Sequence, residues 1–158
     1  MTERVIHSQG KDSHLGDVSK ELMRQASQCL STKNEFHLAL SESDSLDDFY
    51  ARLMFDPDLR MFPWGKTQLW FFGDSTDEDS IQKAFSAHSG IPEEQVHHVS
   101  EGLPEGVTID CCICNGEDLG ELPDAFSKQS ATWIILSAGD CQVPNLCGVV
   151  HNFIVESE

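Results

Sequence analysis

Short apolar runs of strand length alternate along this chain with segments in which apolar residues recur at helical spacing. The runs are Phe36–Leu40, Thr67–Phe72, Val107–Cys114, Thr132–Leu136 and Val149–Val155. Strands that read as continuous apolar runs are buried on both faces, which is typical of a parallel sheet lying between two layers of helices. The sequence therefore predicts a three-layer, doubly wound α/β fold of the Rossmann-like type with a mainly parallel sheet.

Helical periodicity supplies the connections between these strands. A first amphipathic helix is predicted over residues 17–30, with Asp17 as its N-cap. A second helix is predicted after the acidic start Ser45–Asp48, and Pro57 ends it. The same pattern predicts a third helix over residues 81–88 and a short one over 123–128.

The length of 158 residues fits one domain, and the 39% of hydrophobic residues can form a sizeable core. Residues 1–14 show no apolar periodicity, so we expect a flexible N-terminal arm ahead of a single α/β domain over residues 15–158. No apolar run approaches the roughly 20 residues that cross a bilayer, and no secretory signal is evident. We expect a cytoplasmic or nuclear protein.

The formal net charge is −17, from 27 acidic and 10 basic residues. Such a charge repels nucleic acid, anionic membranes and phosphorylated small molecules. We therefore expect neither a nucleic-acid partner nor a membrane partner. Two interpretations of the charge stay open, a solubilising surface and a surface that binds a basic protein.

The six cysteines do not form a recognisable disulfide or metal pattern. They are Cys29, Cys111, Cys112, Cys114, Cys141 and Cys147. Without a secretory signal, reduced thiols within the core are expected. A zinc site built from Cys112 and Cys114 with the last two cysteines does not fit the usual spacing of such ligands. His97 and His98, beside a candidate edge strand, point to opposite faces and cannot easily share a metal. We expect no metal and no cofactor.

Open parallel sheets bind ligands in the loops that follow the carboxyl ends of their strands. Acidic residues follow two of the predicted strands, Asp74 in one loop and Glu117 and Asp118 in another. They could hold a divalent cation, or they could simply complement the dipoles of the helices that follow. The sequence has neither a Gly-x-Ser-x-Gly nucleophile turn nor a dinucleotide-binding glycine fingerprint.

Five segments, taken in order, resemble the 6-phosphogluconolactonase family, which is related to glucosamine-6-phosphate isomerases. They are residues 36–53, 64–74, 90–97, 109–118 and 131–139. They correspond to the family's strand with a Ser-Gly-Gly-Ser loop, the strand ending in Gly-Asp-Glu-Arg, an Ile-Pro-x-x-x-Val connection, the strand ending in Gly-x-Gly-x-Asp-Gly-His-Thr, and a late strand with a glycine turn. The resemblance implies a lactonase fold, shortened chiefly after Gly120.

The departures from the family pattern fall on the ligand loops. The segment that matches the phosphate loop is Ser41, Glu42, Ser43, Asp44 and Ser45, with two carboxylates in place of glycines. Ser75-Thr76 stands where the resemblance implies Glu-Arg, and Leu119-Gly120 stands where it implies Gly-His. Leucine cannot transfer the proton that the family's histidine is thought to move. We therefore expect no catalytic residues, and we regard Asp74, Glu117 and Asp118 as vestigial positions.

These losses favour a non-catalytic, lactonase-like protein that serves as an interaction or scaffold subunit of a larger assembly. The alternative is an enzyme of altered specificity, or a small-molecule sensor, that uses the acidic cleft. Phe62 and Trp64, between a helix and a strand, either pack into the core or contact a partner. A shortened parallel sheet leaves an unpaired edge, so the expected partner is a protein, a basic one being one candidate, or a second copy of this chain.

Overall fold

The computed structural model describes residues 2–41, 47–55, 62–72, 91, 93–99, 107–116, 130–137 and 148–156. These residues form seven strands and two α-helices. The strands are β1 Thr2–Gln9, β2 Phe36–Ser41, β3 Thr67–Phe72, β4 Val96–Val99, β5 Cys111–Asn115, β6 Thr132–Ser137 and β7 Val149–Glu156. The helices are α1 Lys11–Leu30 and α2 Asp47–Phe55, and short 3-10 turns at Trp64–Lys66 and Glu93–Gln95 precede β3 and β4.

The seven strands form one sheet in the order β1-β7-β6-β5-β2-β3-β4. Every pairing between these strands is parallel. The predicted α/β fold with a parallel sheet is confirmed, and so are the five strands predicted from apolar runs, although β5 begins at Cys111 and not at Val107. The predicted helices over residues 81–88 and 123–128 lie outside the described residues.

Helix α1 connects strands that are far apart in the sheet. β1 lies at one edge and β2 is four positions away, which is about 19 Å at the usual strand spacing. The 20 residues of α1 give a helix of about 30 Å, which is long enough to cross this distance diagonally. Val18, Leu22 and Ala26 are fully buried along it, within the same core cluster as β2, β5 and β6.

Both faces of the sheet are buried at its central strands. Alternate residues of each strand point to opposite sides, so Leu38 and Leu40 join the cluster that contains α1 and α2, while Ala39 joins a second cluster on the other face. The second cluster includes Trp70 and Trp133. Burial on both sides accounts for the continuous apolar runs by which these strands were predicted.

The predicted flexible arm over residues 1–14 is wrong for the residues that the structure describes. Thr2–Gln9 forms β1, which pairs with β7 along its full length, and α1 begins at Lys11. β1 is an edge strand with mostly exposed side chains, so it lacks the apolar run that reveals a buried strand. Asp17 is consequently not an N-cap. It lies inside α1, where its carboxylate accepts a hydrogen bond from the Ser8 hydroxyl at 2.6 Å.

Two glycines have backbone conformations that favour glycine. Gly10 is the N-cap of α1 with φ 81°, at the sharp turn that follows β1. Gly148 precedes β7 with φ 80°, and a Cβ atom there would lie 2.1 Å from the carbonyl oxygen of Ala131. That same oxygen accepts the backbone hydrogen bond of Val149, so the close approach fixes the start of β7 against β6.

Asp110 closes the amino end of the sheet beside β2. Its carboxylate accepts hydrogen bonds from the Lys33 ammonium at 2.6 Å and from the backbone N–H of His37 at 2.9 Å. Its own N–H donates to the carbonyl of His37 at 2.9 Å. The amino end of this part of the sheet is therefore closed by hydrogen bonds. Neither described helix combines the length and apolarity that a membrane span requires.

Candidate functional site

The order of the described strands reverses between β2 and β5. From β2 the chain adds β3 and β4 on one side, and then returns to place β5 on the other side of β2. The two strands are hydrogen-bonded neighbours, with Leu38 opposite Cys111 and Leu40 opposite Ile113. The loops that leave such a pair diverge and open a crevice, where ligands of doubly wound folds bind. The candidate site therefore lies beyond the carboxyl ends of β2 and β5.

The residues that end these strands are polar, in contrast to the residues that precede them. Ser41 ends β2, Asn115 ends β5 and Ser137 ends β6, and all three are buried. Ser41 was predicted as the first residue of the ligand loop. Asn115 lies in the predicted segment 109–118 but was not named as a site residue, and Ser137 was not named either. Asn115 and Ser137 could have been found from sequence, because each is the first polar residue after an apolar run.

Hydrogen bonds hold this polar edge in place. The hydroxyl of Tyr50, on α2, donates to the backbone carbonyl of Ser41 in a buried position. The Ser137 hydroxyl donates to the side-chain oxygen of Asn152 at 2.9 Å, linking β6 to β7. Helix α2 therefore fixes the end of β2, where the first ligand loop begins.

His14 is a buried histidine near the same edge, and no sequence signal pointed to it because it fell in the expected arm. Its Nε2 atom lies 3.0 Å from the carbonyl oxygen of Phe153. A carbonyl can only accept, so Nε2 carries the proton and Nδ1 of the neutral ring has the lone pair of a base. Phe153 and Asn115 both pair with Leu136, so they are about 10 Å apart. The residue to which His14 is hydrogen-bonded therefore lies two strands away from Asn115.

Solved structures of several lactonases share this architecture. The chain is similar to 6-phosphogluconolactonase from Thermotoga maritima, with 12% identity and a TM-score of 0.69 over 97% of this chain and 100% of that one. It is similar to the enzyme from Trypanosoma cruzi, with 13% identity and a TM-score of 0.69 over 98% and 96% of the two chains. For a 6-phosphogluconolactonase from Shewanella baltica, the identity is 8% and the TM-score 0.61, over 99% and 98%. The chain has the 6-phosphogluconolactonase fold. No family model and no curated protein matches the sequence.

The lactonase fold brings together the strands from which the predicted ligand loops depart. Ser41 and Asn115 end neighbouring strands, and Phe72 ends β3 on the far side of β2. Of the predicted phosphate-loop residues, only Ser41 is described. Glu42, Ser43, Asp44 and Ser45 lie outside the described residues, and so do Asp74, Glu117 and Asp118. Their assignment as vestigial positions stays a prediction.

Phe62 and Trp64 belong to the core of the lactonase fold. Only 4% of Phe62 and 7% of Trp64 are exposed, and their ring centroids are 4.3 Å apart. Phe62 also packs against Phe36 at the start of β2. The prediction of core packing is confirmed. Their rings are covered within this chain, and the alternative that they contact a partner stays a prediction.

The cysteines that the structure describes are reduced. Cys111, Cys112 and Cys114 are fully buried in β5, as predicted, and Cys29 is half-buried at the end of α1. Burial, reinforced by the nearby charge of Asp110, raises the pKa of the Cys29 thiol to about 11. Burial also raises the pKa of Cys111 and Cys112. Cys141 and Cys147 lie outside the described residues.

The described residues contain no group of three or more histidine, cysteine and acidic side chains that could hold a metal ion. His97 stacks on Trp70 with ring centroids 4.1 Å apart, and its Nε2 atom lies 2.8 Å from the amide oxygen of Gln68. Burial lowers the pKa of His97, and the nearby His37 lowers it further. The ring of His97 is therefore packed against the sheet, and the side chain of His98 lies outside the described residues.

Proposed function

We propose that this protein is a non-catalytic member of the lactonase-fold proteins that acts as an interaction or scaffold subunit of a larger assembly. The observation that carries the proposal is the position of Ser41. It is the last residue of β2, beside β5 at the crevice, and the next residues in the sequence are Glu42, Ser43 and Asp44. A phosphate-binding loop at this position needs glycine and no negative charge.

Electrostatics argue against a phosphorylated substrate. Two like charges about 4 Å apart repel each other by roughly 4 kcal/mol at an effective dielectric constant of about 20. Glu42 and Asp44 each carry one charge, and the whole chain carries a formal charge of −17. Even half of this repulsion would remove useful affinity for a phosphate dianion. The loop can instead attract a cationic surface, which favours a basic protein as the partner.

The matching sequence positions lack the phosphate-binding and proton-transferring side chains that the resemblance implies. Ser75 and Thr76 stand in place of Glu-Arg after β3, and Leu119 and Gly120 stand in place of Gly-His after β5. His14 does not substitute for the lost histidine, because Phe153, to which it is hydrogen-bonded, lies two strands from Asn115. These changes support the loss of lactonase catalysis while the fold persists.

A binding experiment tests the electrostatic part of the proposal. Calorimetric titration with 6-phosphogluconate should give no measurable heat for the natural chain, whereas the T. maritima enzyme serves as the positive control. Replacing Glu42 and Asp44 by glycine together should produce weak, salt-sensitive binding, because the repulsion is removed. Tight binding by the unmodified chain would contradict the proposal.

The scaffold part needs a partner that depends on the same loop. Affinity capture from the native cell extract, with the mass of the complex measured by light scattering, should give a partner in fixed stoichiometry. Neutralising the loop with Glu42→Gln and Asp44→Asn should weaken the complex, whereas Glu94→Gln, at an exposed position before β4, should not. A chain that stays alone under these conditions would contradict the scaffold role.

The second candidate is an enzyme or sensor for an uncharged or cationic small molecule. The observation that favours it is the buried polar edge formed by Asn115, Ser137 and Asn152. Protection against thermal unfolding by an unphosphorylated polyol, an amine or a divalent cation, lost in Asn115→Ala, would favour this candidate over the scaffold role.

A further inference from the structure

The outer edge of β1 is a long strand edge that no other described strand covers. β1 is terminal in the strand order and pairs only with β7 on its inner side. Most of its side chains are exposed, and Val5 keeps 49% of its surface accessible. Edge strands of this kind present a row of backbone N–H and C=O groups that can pair with another chain.

β1 lacks most of the features that prevent such pairing. Proteins protect sheet edges with very short strands, charged side chains (lysine above all), proline or bulges, and of these β1 has the single opposite charges of Glu3 and Arg4. β1 has eight residues, contains neither lysine nor proline, and follows β7 in an unbroken register without a bulge. The opposite edge differs, because β4 has only four residues. The two ends of the sheet are therefore protected to different degrees, and β1 is the exposed one.

The local charge of β1 distinguishes it from the rest of the protein. Glu3 and Arg4 are its only acidic and basic residues, so its formal charge is zero, while 26 of the 27 acids and 9 of the 10 bases lie elsewhere in the chain. Two copies with a charge of −17 each repel one another over most of their surfaces. β1 is a surface without net charge, so two copies can meet there without this repulsion.

We propose that β1 is the seam of a homodimer in which the β1 strands of two copies pair in antiparallel fashion. The inference rests on the proposed interaction role and identifies a second copy of this chain as one partner. The two-fold axis stands perpendicular to the sheet, so each side chain and its symmetry mate point to the same face. Directly opposed residues must then share a face, which restricts the register to pairs of odd with odd and even with even positions.

The register centred on Val5 gives the best-matched contacts. Val5 meets Val5 of the second copy, so the exposed apolar residue of the edge is covered. Glu3 meets His7 of the second copy, and the symmetric pair forms on the other side of the axis. Apolar pairs directly across an antiparallel ladder stabilise it and like charges destabilise it, and this register covers Val5 without placing two like charges opposite each other. The centre at Ile6 instead places Val5 opposite histidine.

The test is the oligomeric state of the full chain by sedimentation equilibrium. The natural chain should dimerise with rising concentration, and Val5→Lys should weaken the dimer at least tenfold, because lysine blocks edge pairing. The control Phe55→Lys, at a residue that is 59% exposed on α2, should leave the dimer intact. Circular dichroism checks that both variants stay folded, and a chain that remains monomeric at every accessible concentration overturns the proposal.

A change of charge tests the register. His7→Glu should weaken the dimer by roughly 2- to 30-fold through two like-charge pairs, and adding Glu3→Gln should restore part of the loss because it removes the like charges without placing a lysine on the edge. If Val5→Lys leaves the dimer affinity unchanged, β1 is not the dimer interface. If the double variant dimerises no more tightly than His7→Glu, the register centred on Val5 is wrong. Lactone hydrolysis and capture of a basic partner are measured separately, so failure here is distinguishable from failure of the proposed function.

Discussion

Along β2, β5 and β6, the interior residues of each strand are almost all apolar and buried, whereas the last residue is polar: Ser41, Asn115 and Ser137. Burial of the interior is non-directional and depends mainly on apolar volume. The fold therefore persists at 8–13% identity to solved lactonases. Chemistry at the carboxyl edge depends instead on particular side chains, so a few substitutions can remove an activity without disturbing the sheet.

The largest expected effect comes from the interior of the sheet. Phe71→Ala should lower the free energy of unfolding by about 3–5 kcal/mol, because the ring is fully buried and leaves a cavity. The matched change Phe55→Ala, at a residue 59% exposed, should cost less than about 0.5 kcal/mol. Urea unfolding monitored by circular dichroism measures both. Equal losses would mean that the interior does not dominate stability.

The next effect tests the backbone contact that positions β7. Gly148→Ala should cost about 2–3 kcal/mol, since its positive φ disfavours alanine and the added Cβ would lie 2.1 Å from the Ala131 carbonyl oxygen. Gly65→Ala is the control, as a Cβ there meets nothing within 4 Å. Thermal unfolding of the two variants separates them, and an unchanged midpoint for Gly148→Ala would exclude the close contact.

A smaller effect is expected where the interior meets the carboxyl edge. Tyr50→Phe removes the buried hydrogen bond to the Ser41 carbonyl and should cost about 1–2 kcal/mol. Ser31→Ala removes an exposed side-chain bond to a backbone carbonyl and should cost much less. Hydrogen exchange should also accelerate at the end of β2 in Tyr50→Phe alone. Similar values for the two variants would show that α2 does not fix this edge.

The smallest expected effect is a change in how folding stability depends on pH, through His151 between α1 and the sheet. Burial lowers the pKa of His151 from its ordinary value of 6.5; Glu21 opposes this shift, and the charges of Arg4 and Arg24 add to it. As the pH falls through 6.5, the unfolded chain binds a proton at His151 that the folded chain does not bind, so folding stability decreases. His151→Gln should reduce the dependence of the free energy of unfolding on pH. Part of that dependence should remain, because the pKa of His97 is also lowered. Urea midpoints on both sides of this pH measure the slope, and a steeper slope in the variant would contradict the assignment.

The apolar runs were sufficient to predict the buried strands, and the periodicity of residues 17–30 to predict most of α1. They could not reveal β1, because an edge strand with exposed side chains has no apolar run and its pairing partners on β7 are far away in sequence, with Thr2 opposite Val149. The same error hid His14, whose hydrogen bond to Phe153 is equally non-local. Such pairings depend on the assembled sheet and not on local sequence.

The carboxyl edge was predicted in outline. The loop that begins at Ser41 was identified from its order along the chain, and the structure puts that residue beside the end of β5. Asn152 could not be found in the same way, because it lies within the apolar run of β7 and its role comes from the bond to Ser137 on another strand.

Hydrolysis of 6-phosphogluconolactone tests the central claim most directly, when this chain and the T. maritima enzyme are assayed side by side at equal concentration with correction for spontaneous opening of the lactone. The account predicts that the T. maritima enzyme accelerates hydrolysis while this chain leaves the spontaneous rate unchanged, although both share the fold. Turnover by this chain that approaches that of the T. maritima enzyme, and that is lost in Asn115→Ala, would show that the altered loops still perform the lactonase reaction.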